Sequence, residues 1–225
     1  SNINKNQSYT DLLSAIFESV YYKTIIFNNE LVNKNAVSVQ YQKPINHIGD
    51  LLLENATQSV KELYSETSPE MTVYNSIVKR IQRDDLAKEV VKEIKDTIQL
   101  AEEKKVSFQE VVEKYYLAPY GLRKGVMPVI LCYAIGELSE NVTLYMQKKE
   151  IDLNASNISK AINSSSGYYI NFAKGSGEQS KYVYDLMTVL NIESSNNFRR
   201  DIRELCSGLR KFFVGLPQII RNCKI

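Results

Sequence analysis

Residues from about 127 to 138, carrying Val129, Ile130, Leu131, Tyr133, Ala134 and Ile135, leave almost no polar face. A helix that is apolar all round is stable in water only when other elements surround it, so this one is expected at the centre of a core. A membrane span would need about 20 apolar residues. The longest candidate run, Val126 to Ile135, is too short and contains Pro128, so no membrane crossing is expected. The rest of the chain must then supply helices with one apolar face each to wrap the buried one. Composition permits this, because the 225 residues are 44% hydrophobic and 24% charged, as in ordinary globular domains.

Apolar residues recur at helical spacing through the first half. Leu12, Leu13, Ile16, Phe17, Val20 and Tyr21 mark a helix over about 9–22, and Ile45, Ile48, Leu52 and Leu53 mark another after Pro44. The Asn-rich stretch from Asn28 to Asn35 between them reads as an irregular link. Ser68-Pro69-Glu70 is a helix start. Ser68 can accept from an orphan amide, Pro69 has no amide to leave unpaired, and Glu70 meets the positive helix end. A longer helix over about 84–103 places Leu86, Val90, Ile94, Ile98 and Ala101 on one side. Its other side, with Lys88, Glu89, Lys92, Glu93, Lys95 and Asp96, reads as a salt-bridged, solvated surface. Ser107 and Glu110 have capping-box spacing and open a helix through Tyr115.

Near residue 142 the pattern changes to strands. Val142 to Met146, a turn at Gln147-Lys148-Lys149 and Glu150 to Leu153 predict a hairpin. A short helix capped by Asn154 or Ser156 follows to about Asn163, then a strand over Tyr168 to Ala173 that Gly175 and Gly177 break. Tyr182, Leu186, Val189 and Leu190 mark a further helix. In the last helix, about 195–214, Phe198, Ile202, Leu205, Leu209 and Phe212 form one seam expected to pack into the core, and Pro217 ends it. The expected fold is therefore mainly α, a multi-helix body with a small β-hairpin or three-stranded insertion. The order of elements between about 108 and 173 makes the middle winged-helix-like. One domain over 1–225 is expected, divisible into helical 1–117, winged-helix-like 118–175 and helical 176–225.

The sequence offers little chemistry. His47 is the one histidine and cannot build a multi-His metal site. Asp84-Asp85 and Glu102-Glu103 are adjacent, so on a helix each pair points two ways and reads as solvated charge. Cys132, Cys206 and Cys223 are odd in number and far apart, which excludes a disulfide framework and a CxxC site. Cys132 and Cys206 are expected as small core residues, and reduced thiols point to a cytoplasmic setting. Lys174 to Lys181 carries glycines but not the spacing of a phosphate-binding loop. No catalytic, metal-ligating or cofactor-binding residue is expected, and the chain itself is not expected to be an enzyme.

Charge is nearly balanced, 28 basic against 26 acidic residues, unlike a dedicated nucleic-acid binder. The tail differs: from Phe198 to Ile225 there is a surplus of five positive charges, including Arg199, Arg200, Arg203, Arg210 and Lys211. These side chains suit phosphates, the exposed face of an amphipathic helix or an acidic neighbour. The helix over about 155–163, which would be the reading helix of a winged module, has only Lys160 as a cation.

Asn29-Glu30-Leu31-Val32-Asn33-Lys34 with Ser38, Pro119 to Leu131 followed by Leu144-Tyr145, and Leu209-Arg210-Lys211 with Leu216-Pro217 stand in this order along the chain. Together they resemble the helical C-terminal region of large bacterial P-loop ATP-binding proteins, often found in anti-phage defence or restriction-type gene clusters. The resemblance runs from about Asn28 onward, and Pro119 to Leu131 is its most specific stretch. It implies that the nucleotide site lies in an upstream module, since no Walker motif occurs here. The start at Ser1-Asn2 without Met agrees with a piece of a longer protein. The resemblance also implies as partners the ATPase core of the parent chain or another protein, with nucleic acid as the alternative. Arg123 and Lys124 are candidates to read a phosphate of a nucleotide or of DNA held elsewhere in the full protein. The same stretch also reads as a Pro- and Gly-punctuated turn into the buried helix.

Overall fold

The computed structural model describes residues 9–30, 32–35, 39–102, 105–164, 166–172, 177–194 and 198–216. The chain is mainly helical with a four-stranded antiparallel sheet, and its contacts divide it into two compact units, Ser1–Phe172 and Ala173–Ile225.

In the first unit α1 (Tyr9–Val20) is followed by α2 (Val39–Leu53), a short turn and α3 (Val60–Leu63). Then come α4 (Pro69–Val73), a π-helical turn over Tyr74–Val78, α5 (Lys79–Arg83) and α6 (Asp85–Gln99). Ser68 caps α4 as expected, its Oγ accepting from the Met71 amide at 3.1 Å. Asp84 caps α6 through the Ala87 amide. Pro44 does not open α2: the helix begins at Val39 and Pro44 lies buried inside it. At the sixth residue the proline lacks the amide that would meet the Gln40 carbonyl, and the buried face of Pro44, Ile45, Ile48 and Leu52 holds the helix across it.

Strand β1 (Val106–Ser107) leads into α7 (Phe108–Tyr116), then α8 (Met127–Gly136), β2 (Val142–Met146), β3 (Lys149–Ile151), α9 (Ala155–Asn163) and β4 (Tyr168–Phe172). Helix α8 is the expected buried centre, with Tyr133 and no other residue of it partly exposed. It packs on α2, α6 and α9. The sheet order is β1-β4-β2-β3, with Leu144 opposite both Ile151 and Ile170. Val142, Leu144, Ile170 and Phe172 put the buried side of that alternation into the core. The hairpin turn is two residues, Gln147-Lys148, with Gln147 at φ 56°. The fourth strand, β1, was not expected. Ser107 accordingly enters a ladder and makes no side-chain cap bond to α7, so the expected capping box is not formed.

Helix α9 starts with two acceptors, Asn154 Oδ1 on the Asn157 amide and Asp50 Oδ1 on the Ala155 amide, at 2.8 and 2.7 Å. Ala155, Ile158, Ser159, Ala161 and Ile162 are buried against α2, α7 and α8, while Lys160 and Asn163 are exposed. The middle of the chain thus has its expected elements.

Helix α1 behaves unlike the other predicted helices. Leu12, Leu13, Ile16, Phe17 and Val20 have the expected spacing, yet none is buried; each is 36–59% exposed.

The second unit pairs α10 (Gly177–Val189) with α11 (Phe198–Gly215) around Val183, Met187 and Leu205. Ser194 donates to the buried Asp201 at 2.7 Å. Among the described side chains, the seam of α11 is buried at Leu205. Ile202, Leu209 and Phe212 remain exposed, because so small a cluster covers little of a helix this long. Cys206 is exposed too, which corrects its placement in the core; Cys132 is buried, and burial pushes its thiol pKa up. The expected break at Gly175, the stop at Pro217, Cys223 and the last two cations of the basic tail, Arg221 and Lys224, lie outside the described residues, as do Leu31 and Ser38.

Candidate functional site

The stretch from Pro119 to Gly125 is built to hold two cations outward. After α7, the amides of Tyr120 and Gly121 both donate to the Leu117 carbonyl, and the Leu122 amide returns to Tyr115 at 2.8 Å. Gly121 has φ +59°, and a Cβ there would lie 2.9 Å from the Tyr21 ring, so both backbone and space call for glycine. Leu122 and Gly125 are buried anchors on either side of exposed Arg123 and Lys124. The Gly125 amide donates to the Lys34 carbonyl at 2.8 Å, which seats the turn on the loop carrying Asn35.

The segment after α1 fastens to the same turn. The Lys23 amide donates to the Pro119 carbonyl at 3.1 Å, and Thr24 Oγ1 to the Tyr120 carbonyl at 2.6 Å. Lys23 Nζ pairs with Glu93 and, at 3.2 Å, with Glu89 of α6; Glu93 also accepts from the Tyr120 hydroxyl. The α6 charges therefore do more than decorate a solvated surface. Burial favours the neutral form of Glu93, but the bonds from Lys23 and Tyr120 outweigh it and hold the carboxyl below its ordinary value. Lys23 is held above its ordinary value, first by its bond to Glu93 and then by Glu89.

A depressed carboxyl stabilises the fold above its unfolded value of 4.5 and stops doing so as pH falls through the folded value. The raised lysine acts in the opposite sense, contributing below 10.5 and losing that contribution at higher pH. Glu93→Gln is therefore expected to lower the urea midpoint at neutral pH, and its difference from wild type should vanish in acid. Urea titrations at neutral pH and well below 4.5 read this directly.

Between the end of α1 and this turn lies a cavity of about 1040 Å³. Phe17, Glu18, Tyr21 and Tyr22 form one side; Tyr116, Leu122, Arg123 and Lys124 contribute the other. Arg123 Nη1 reaches Asn35 Oδ1 only at 3.5 Å, and Lys124 Nζ stands 5.8 Å from the Tyr116 ring centre. Among the described residues neither cation has a carboxylate within ion-pair distance. Among the described residues the buried Tyr116 hydroxyl meets no hydrogen-bond partner, and burial pushes its pKa up to about 12.

The other expected contacts lie in the second unit. Arg203, Arg210 and Lys211 are exposed on α11; Arg203 and Arg210 are seven residues apart and share a face. Arg199 and Arg200 stand in the first turn of α11, and their side chains lie outside the described residues. His47 is half-exposed, bonded to Glu70 at 3.0 Å and stacked on Tyr64. Among the described residues no three His, Cys, Asp or Glu side chains converge as metal ligands, and no helix is long and apolar enough to cross a membrane. Sequence reasoning missed Lys23, Asn35, Tyr116 and Tyr120. No spacing pattern marks them: Lys23 meets Glu93, Thr24 meets the Tyr120 carbonyl and Asn35 meets Arg123 across 70, 96 and 88 residues of chain, and Tyr116 enters through the cavity wall.

Compared with protein-family models, curated proteins and solved structures, the chain matches none.

Proposed function

We propose that this chain is a non-catalytic helical interaction module of a larger bacterial P-loop ATPase, of the kind that serves anti-phage defence, working in the cytoplasm. The observation that carries the reading is the uncovered apolar face of α1. A 12-residue helix is marginal by itself in water, and contiguous exposed apolar surface of this kind marks an interface. The occupant is the ATPase core of the parent chain. The resemblance places that module upstream, on the side of the chain where α1 lies.

The test is a calorimetric titration of this chain with the separately produced segment encoded upstream of it. Saturable binding is expected, weakened at least tenfold by Leu12→Asp with Ile16→Asp; both positions are exposed, so the fold survives. An upstream segment without a Walker motif, or one that does not bind, would overturn the reading. A second reading, nucleic-acid binding through α11, draws on the exposure of Arg203 and Arg210 along one face. It expects duplex-DNA affinity that falls steeply with salt, and no binding at micromolar protein in low salt would sink it.

A further inference from the structure

The cavity at the Arg123–Lys124 turn joins three properties that few ligands answer together. The first is charge. Arg123 and Lys124 stand side by side on a turn whose flanks, Leu122 and Gly125, are anchored in the body, and neither is answered by a carboxylate among the described residues. An arginine fork beside a lysine is a phosphate- or carboxylate-holding pair. The second is ring surface. Phe17 and Tyr22 are more than half exposed on the facing side, and Phe17 stacks on Tyr21 with ring centres 6.1 Å apart. The third is size, about 1040 Å³, at the upper end of small-molecule sites.

A purely apolar peptide would leave both cations unanswered, and an inorganic anion would leave the rings exposed. A planar base joined to a phosphate meets both. We propose that this cavity binds a nucleoside monophosphate unit, its phosphate held by Arg123 and Lys124 and its base stacked against Phe17 and Tyr22. Glu18 on the same wall leaves a lining charge of only +1 from two cations and one anion. That favours one phosphate over a triphosphate, and the carboxylate is an acceptor suited to sugar hydroxyls. The same unit occurs free or as a residue of a single strand, where stacking on aromatic rings is the usual mode of recognition. The cavity shares Phe17 with the apolar face of α1, but docking is read at Leu12 and Ile16, which do not line the cavity, so failure of either test leaves the other reading standing.

Calorimetry on the whole chain tests this, with AMP, GMP, CMP and UMP, adenosine, inorganic phosphate and a 5′-phosphorylated thymidine decamer as probes. At least one monophosphate is expected to bind at least tenfold more tightly than adenosine or phosphate alone. Arg123→Ala with Lys124→Ala should weaken it about tenfold or more, with the thermal midpoint unchanged, since both side chains are exposed. Phe17→Ala with Tyr22→Ala should cost a similar factor, as loss of base stacking does. Lys61→Ala, at an exposed residue outside the cavity wall, should leave the affinity as it was. Decamer binding tighter than the monophosphate, with a salt dependence that the Arg123/Lys124 variant flattens, identifies a strand as the source; equal affinity identifies the free nucleotide. The proposal is overturned if neither the monophosphates nor the decamer bind. It is also overturned if phosphate alone binds equally well, or if the two double variants bind like wild type.

Discussion

Gly125→Ala is expected to lower the free energy of unfolding by about 3 kcal/mol, the scale of a severe overpacking error. The added Cβ would stand 2.4 Å from the Val32 carbonyl oxygen and 2.8 Å from that of Lys34. Both obstacles are backbone, so no rotamer change relieves them. The loop cannot withdraw freely either, because Val32 is fully buried and Lys34 accepts the Gly125 amide. Urea denaturation with an unchanged m-value measures the effect, and a loss below about 1 kcal/mol would show that the loop yields. The substitution also displaces Arg123 and Lys124 relative to Asn35. Cavity binding should weaken even under conditions where the variant remains folded.

The second large effect is expected at Gly136, the last residue of α8. Its Cβ would lie 2.2 Å from the Leu52 carbonyl oxygen. That carbonyl belongs to the end of α2, where Asn55 at φ 55° closes the helix and donates its amide to Leu52 and its side chain to the Gly136 carbonyl. A methyl at 136 therefore strikes a place where α2 is tied to α8 by a backbone-and-side-chain knot. Gly136→Ala should cost about 3 kcal/mol and lower the thermal midpoint by several degrees. Asn55→Ala, which removes the tie without adding bulk, should cost about 1–2 kcal/mol. If Asn55→Ala costs more than Gly136→Ala, the steric account of this junction fails.

The elements legible in the sequence are those whose signal is local. Helix α8 was readable because its ten residues leave almost no face for water. Ser68-Pro69 was readable because a cap bonds three residues ahead, and the β2–β3 hairpin because period-two alternation flanks a polar turn. What failed depended on distant partners. β1 is two residues long and exists only because Val106 and Ser107 meet Ile170 and Tyr169. Asp50 caps a helix 105 residues further on, which no window of sequence can reveal. The apolar spacing of α1 and α11 correctly announced helices, yet spacing says which residues seek burial and not whether this chain supplies the cover. At the candidate site, Arg123 and Lys124 were visible as a cation pair in a punctuated turn. The aromatic wall opposite was not, since Phe17 and Tyr22 read as ordinary members of a first helix.

The fastening of Lys23 and Thr24 to the Pro119–Tyr120 backbone begins three residues after α1 ends. Cooperative unfolding propagates through packed and bonded neighbours, and at this point it loses them. The chain therefore has a stability step at about Tyr21. Amides of 23–27 belong to the global unfolding unit, while those of α1 open by helix–coil fluctuation and exchange far sooner. Phe17, Glu18, Tyr21 and Tyr22 line the cavity from the α1 side of that step and the other eight lining residues from beyond it, so the pocket has one wall as durable as the core and another only as persistent as a lone helix.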